Sequence, residues 1–258
     1  MALDNRCLNR VTTGAALGAA VGGAMRGHKK HVTALAWEPA HVRYPPVRLA
    51  SASGDGTVRI WNTVHRNCEV ALTAHTNSVT SVKWGGDGLI YTASRDTTAM
   101  VWDGTEGKES GKVVRQLKGH GHWVNTLALS SEYVVRTGPF DHKAVKPESD
   151  ADAKAKALER YKQATQGKPE RLVSGSDDFT MFMWTPATSK QPVARMTGHV
   201  QLINHVLFSP DGRFCASASF DKAVKLWDGH TGVFLATMRG HVGPVYQIAW
   251  SADSRMVV

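Results

Sequence analysis

Histidine, serine or threonine, and aspartate recur together along this chain at spacings that first bring nucleophilic chemistry to mind. Gly-His occurs at Gly27-His28, Gly119-His120, Gly198-His199 and Gly240-His241, with Ala74-His75 as a variant. Between them SASGDGTVRIW ends at Trp61, TASRDTTAMVW at Trp102, SGSDDFTMFMW at Trp184 and SASFDKAVKLW at Trp227. In each, an Asp (Asp55, Asp96, Asp178, Asp221) stands six residues before the Trp, and a Ser or Thr (Ser51, Thr92, Ser174, Ser217) stands four before that Asp. Ser, His and Asp are the parts of a hydrolase triad. A nucleophile, however, needs exposure and a neighbouring oxyanion hole, and four copies of one active site in one chain would be odd. The repetition points to architecture, so no catalytic residue is assigned. His28 and His31, or His120 and His122, could share a metal, but no Cys pair or carboxylate cluster with ligand spacing stands near them. A GxxxxGK[ST] phosphate loop is also lacking. Neither metal nor cofactor is expected.

Stepping along the chain, the histidines recur at roughly 40–45 residues with one longer interval, the period of a repeat protein. VTALAW, VTSVKW, VNTLAL, INHVLF and VYQIAW each follow a histidine closely and are rich in β-branched and apolar residues, as strands are. TVRIW, TAMVW, TMFMW and AVKLW read as further strands behind an Asp-led turn, and GGDG at 85–88 and SPDG at 209–212 as hairpin turns. Each unit thus supplies four short strands.

The bulk properties agree with a folded β protein. Apolar residues make up 42% and charged residues 21% of the 258 residues, near the globular average. No stretch approaches the ~20 apolar residues of a membrane span, so no membrane partner is expected. Cys7, Cys68 and Cys215 are odd in number and far apart, which excludes a disulfide framework. The net charge of +9 and pI near 9.6 favour polyanionic surroundings without proving contact. The Gly/Ala-rich start, residues 1–26, lacks a secretory h-region and reads as a weak strand or disordered leader.

Gly-His, the turn Asp and the terminal Trp together resemble the WD-repeat family from Gly27 to the end, 27–258. The fold implied is an all-β WD-repeat β-propeller, in which four-stranded blades stack around a channel. It is incomplete here: four full repeats, a fifth that stops at Val258 within its second strand, and one short helical insertion. The resemblance implies buried hydrogen-bonded tetrads His28–Asp55–Ser51–Trp61, His75–Asp96–Thr92–Trp102, His120–Asp178–Ser174–Trp184 and His199–Asp221–Ser217–Trp227. It also implies a docking rim at the channel mouth: His31, Thr33 and Gly54; Ser78, Thr80 and Arg95; Trp123, Asn125 and Asp177; Leu202, Asn204 and Phe220; then Pro244 and Tyr246. Trp123, Leu202, Phe220 and Tyr246 would form an apolar patch with Arg95 beside it, the composition of a protein interface.

The long interval holds an insert at about 137–170, between the first two strands of the third unit. SDADAKAKALERYKQATQG reads as a helix with Ser149 or Asp150 as N-cap, Gly167 as stop, and a narrow stripe of Ala157, Leu158, Tyr161 and Ala164. It is either a decorated loop helix on the outside or a latch for a partner.

Specific wording narrows the resemblance. WEPAH, VKWGGDGLIYTAS, GHGHWVNTLALS, the insert after RTGPF, ERLVSGSDDFTMFMW, RMTGHVQLINHVLFSPDGRFCASASFDKAVKLWDG and RGHVGPVYQIAWSADSR are similar to the Notchless family. That resemblance implies a non-catalytic nucleolar or nuclear scaffold of large (60S) ribosomal subunit biogenesis. It would bind pre-60S ribosomal particle proteins and rRNA, with no small-molecule substrate. In the full-length family a midasin-type AAA ATPase grips an amino-terminal ubiquitin-like domain. That domain has no counterpart in this chain, and the family's propeller has eight blades, so the chain is expected to be a fragment or truncated gene product. The competing reading is a WD-repeat adaptor in signalling (the Notch pathway) or ubiquitin ligation that binds peptides on the same rim.

Overall fold

The computed structural model describes residues 26–105, 111–140 and 146–258. The expected leader lies, apart from its last residue, outside them. Sixteen strands among the described residues form four antiparallel four-stranded sheets, each laid down in chain order. The first holds β1 (Val32–Trp37), β2 (Arg48–Ser53), β3 (Val58–Asn62) and β4 (Asn67–Leu72). The second holds β5 (Val79–Trp84), β6 (Leu89–Ser94), β7 (Ala99–Asp103) and β8 (Val113–Leu117). β9 (Val124–Leu129), β10 (Leu172–Ser176), β11 (Met181–Trp184) and β12 (Pro192–Met196) form the third, and β13 (Ile203–Phe208), β14 (Phe214–Ser219), β15 (Ala223–Asp228) and β16 (Phe234–Arg239) the fourth. The first strands β1, β5, β9 and β13 pack side by side, the blade arrangement of an all-β propeller.

Neighbouring sheets are apolar where their faces meet. Ala50, Ala52 and Ile60 of the first pack on Val82, Trp84 and Ile90 of the second. Tyr91, Ala93 and Val101 meet Leu127, Leu172 and Phe182 of the third. Val173, Met181 and Met183 meet Val206, Cys215 and Trp227 of the fourth. Burying one such large side chain contributes roughly 1.5–3 kcal/mol. At the far edge of the interfaces, arginines on one blade donate to backbone carbonyls on the next: Arg48 to Gly104 O at 2.7 Å, Arg115 to Pro186 O at 2.9 Å, and Arg171 to Gly212 O at 3.2 Å and to Gly229 O. Arg48 is fully buried between Glu38 and Glu69. Part of the basic excess is therefore consumed inside the fold.

Two features depart from expectation. VYQIAW of the fifth repeat is not a strand along its length: its ladder is a single bridge, Trp250↔Val257. Only the last residues of the chain stand opposite it, and a strand needs a partner for its backbone groups. Val245 and Ile248 still cover Ala216, Ala218 and Val224 of the fourth sheet. The β9–β10 connection contains two helices where one was expected, α1 (Glu132–Thr137) and α2 (Asp150–Thr165). Ser149 caps α2, its hydroxyl accepting from Asp152 N, while Gln166 takes the left-handed C-cap and Gly167 follows at φ +69°. Ala153, Ala157 and Tyr161 are its buried residues, whereas Leu158 points outward.

Candidate functional site

The polar residues of the repeats gather at one end of each sheet. In all four, the His Nδ1 meets the turn aspartate and Nε2 meets the strand hydroxyl. The first distances are 3.2 Å (His28–Asp55), 2.7 Å (His75–Asp96), 2.9 Å (His120–Asp178) and 2.7 Å (His199–Asp221). The second are 2.7 Å to Ser51, 2.7 Å to Thr92, 2.8 Å to Ser174 and 2.7 Å to Ser217. Each hydroxyl also accepts from the indole N–H of Trp61, Trp102, Trp184 or Trp227. A neutral imidazole with its proton on Nδ1 satisfies every group: Trp donates to Ser or Thr, the hydroxyl donates to Nε2, and Nδ1 donates to the carboxylate. The hydroxyls are buried and fully engaged, which leaves no nucleophile.

The aspartates do more than hold histidine. Asp178 also accepts from Gly121 N at 2.9 Å and from Thr180 N and Oγ at 2.9 and 2.7 Å. Asp55 and Asp96 repeat the pattern with Thr57 and Thr98, while the fourth corner has Ala223 at that position. A second hydroxyl row escaped the sequence reading: Ser53, Ser94, Ser176 and Ser219 each accept from the turn Asp N at 3.1 Å and donate to a carbonyl of the incoming loop. Their signal was present, since a Ser stands two residues before every turn Asp.

Burial lowers the pKa of His28 and His199 against the attraction of Asp55 and Asp221. Burial alone would raise the carboxyls of Asp55, Asp96, Asp178 and Asp221, but hydrogen bonds from the histidines, the threonines and loop N–H groups hold all four below the usual range. The signs agree. A histidine with a depressed folded pKa contributes stability above about pH 6.5 that is lost as pH falls through the folded value, and the aspartates contribute stability above about pH 4 that is lost below it. Melting temperature should therefore fall on acidification below about pH 6.5 and again, more steeply, below about pH 4. Thermal melts between pH 8 and pH 3 check this, and a melting temperature that rises on acidification contradicts it.

The expected rim divides into two sets. The residue three after each tetrad His and the one before each turn Asp are neighbours through a backbone bond: Gly54 N to His31 O (3.0 Å), Arg95 N to Ser78 O (2.9 Å), Asp177 N to Trp123 O (2.9 Å) and Phe220 N to Leu202 O (3.1 Å). Gly54 leaves room for the exposed His31 ring, which a Cβ there would approach to 2.8 Å. The residues five after the histidines instead tie blade to blade. Thr33 donates to Val79 O (2.6 Å), Thr80 to Val124 O (2.6 Å), Asn125 to Ile203 O (3.0 Å) and Asn204 to Val245 O (3.3 Å). These four donors are committed to the next repeat, three of them to its first strand and Asn204 to the VYQIAW segment.

The aromatic residues come together in pairs. The Arg95 guanidinium lies 4.5 Å over the Trp123 ring, beside His122, and Trp123 is 39% exposed. Phe220 and Tyr246 meet edge to face at 5.2 Å, with Tyr246 65% exposed. Leu202 is half-buried and Pro244 exposed beside them in sequence. Asp177 accepts from the Asn125 amide and stands 3.5 Å from His122. Among the described residues no group of three His, Cys, Asp or Glu could hold a metal ion, and no helix is long and apolar enough to cross a membrane.

Comparison with known proteins matches this geometry. The family model for the WD domain, G-beta repeat, matches residues 21–62, 66–103, 190–228 and 232–258, more than half of the chain. Ribosome assembly protein 4 of Saccharomyces cerevisiae is 51% identical over 204 residues, 77% of this chain and 39% of that protein. The Notchless protein homolog of Arabidopsis thaliana is 55% identical over 207 residues, 80% of this chain and 43% of the relative. Protein Notchless of Drosophila melanogaster is 48% identical over 193 residues, 72% of this chain and 38% of that one. The chain thus spans about two fifths of the length of these relatives.

Proposed function

Because the chain belongs to the WD domain, G-beta repeat family, we propose that it is a non-catalytic scaffold of ribosome assembly, holding partners on the mouth of its blades. The carrying observation is the identity of about half the aligned residues to proteins named for ribosome assembly or as Notchless. The finer reading places it on large-subunit (pre-60S) particles in the nucleus and nucleolus, contacting pre-ribosomal proteins and rRNA. A midasin-type ATPase enters only through parts of the full-length family that this chain does not span.

Two features of the surface support the mouth as the docking face. The tetrads consume their own polar groups, leaving no reactive centre, whereas Trp123, Arg95, Phe220 and Tyr246 present aromatic and guanidinium surface of the kind that dominates binding energies. Phe220→Ala combined with Tyr246→Ala should reduce co-sedimentation with pre-60S particles at least tenfold, about 1.4 kcal/mol or more, with the melting temperature little changed. Undiminished co-sedimentation of the folded double variant refutes this surface. A peptide pulldown that survives high salt and ignores RNA would favour the adaptor reading instead.

A further inference from the structure

The repeats provide an internal control: a side chain that architecture requires recurs from blade to blade, and one that only one blade carries serves something else. Three corresponding sequence positions (one and four after the turn Asp, and two before the next repeat histidine) can be compared across the blades, and in the fourth they line a surface pocket. They read Gly56, Arg59 and Thr73 in the first; Thr97, Met100 and Lys118 in the second; Phe179, Phe182 and Thr197 in the third; and Lys222, Lys225 and Arg239 in the fourth. Only the fourth blade carries a cation at all three.

There the three cations line a single pocket of about 290 Å³, together with Thr237 and the Gly198–Val200 connection. The one carboxylate in its wall, Asp221, is spent on His199, Val200 N and Ala223 N. Among the described residues none of Lys222, Lys225 and Arg239 forms an ion pair. Lys225 is held by Thr237 Oγ at 2.9 Å, and its ammonium lies 5.1 Å over the ring of Phe234, a residue 47% exposed. Three like charges around an open cavity repel one another unless an anion neutralises them. The lysine ammoniums and the guanidinium supply the donors that phosphate oxygens accept.

We propose that this pocket seats the phosphodiester backbone of single-stranded RNA, an inference that rests on the ribosome-assembly reading and adds the place of contact. Contact is through phosphate, so binding is tolerant of sequence and steeply salt-dependent. The test uses the 258-residue chain and a fluorescent 20-nucleotide oligouridylate, with affinity measured by anisotropy from 50 to 200 mM salt. Lys222→Gln, Lys225→Gln and Arg239→Gln combined should flatten the slope of log affinity against log salt by about 2 and weaken binding on the order of 100-fold at 0.1 M salt. The charge-retaining variant Lys222→Arg, Lys225→Arg, Arg239→Lys should restore both, which separates loss of charge from loss of fold. An unchanged slope in the folded Gln variant overturns the pocket and leaves the assembly reading intact. Tighter binding of a polyglutamate of equal charge than of the oligouridylate also overturns it. If the slope falls as expected but the wild-type chain does not co-sediment with pre-60S particles, the pocket stands and the assembly reading fails.

Discussion

Asp178→Ala should destabilise the chain by about 3–5 kcal/mol, because it orphans four donors at a half-buried corner, each costing about 1–3 kcal/mol when fully buried and less where water reaches it. The carboxylate accepts from four donors, His120 Nδ1, Gly121 N, Thr180 N and Thr180 Oγ, all within 2.9 Å, so truncation orphans the corner that joins two strands to the incoming loop. For a chain of this size each kcal/mol moves the melting temperature by about 2–4 °C, so a fall of roughly 10 °C or more is expected in a thermal melt. Ser174→Ala, which leaves Trp184 Nε1 and His120 Nε2 without partners, orphans two groups where Asp178→Ala orphans four and should cost less, about 2–3 kcal/mol in all. Thr180→Ala should cost least, since the fourth corner already folds with Ala223 there. That ordering belongs to architecture. If Ser174→Ala melted with the wild type, the hydroxyl would not be the hub that its two hydrogen bonds describe.

The tetrads were legible because their spacing is local and repeated: Ser, Asp and Trp lie within one hairpin, and only the histidine comes from an earlier loop. The same locality explains what was missed. Thr33, Thr80, Asn125 and Asn204 read as docking-rim positions, yet each spends a donor on a carbonyl 41 to 78 residues away, on the next repeat, which no local pattern can place. The third repeat shows the limit in another form: the family model skips it, although its four strands form a regular sheet, because the insert parts β9 from β10. Its tetrad survives the separation, with 54 residues between His120 and Ser174 against 17 between His75 and Thr92. The aromatic pairs at the mouth were legible as residue types but not as pairs. Trp123 finds the Arg95 of the preceding blade and Phe220 the Tyr246 of the next, and only packing of one blade on another fixes which rings meet.

Glu170→Ala should undock the insert and destabilise the chain by about 3–5 kcal/mol, since it orphans up to three buried donors at about 1–3 kcal/mol each with partial compensation. Glu170 stands just ahead of β10 and is 1% exposed. Its carboxylate accepts from Gly86 N at 2.9 Å and from the Ser131 hydroxyl, and the Tyr91 hydroxyl lies at 3.5 Å. It therefore joins the second blade to both ends of the β9–β10 connection. α2 rests on the same corner: Tyr161 donates to Asp87 at 2.8 Å and stacks on His41 at 4.5 Å, while His41 Nε2 contacts Gly86 O at 2.9 Å. Gly86 is required there, because a Cβ would stand 2.1 Å from the Tyr161 ring. Burial, above all, raises the Glu170 carboxyl, so its contribution is largest below the ordinary carboxyl pKa and is lost as pH rises through the folded value, opposite in sign to the tetrads. Glu170→Gln keeps an acceptor for Gly86 and Ser131 without that ionisation, so its insert should remain protected and its stability should not decline as pH rises. Limited proteolysis within residues 146–169, faster in the Ala variant than in the wild type and the Gln variant, is the readout. Equal cleavage of all three would remove Glu170 as the anchor of the insert.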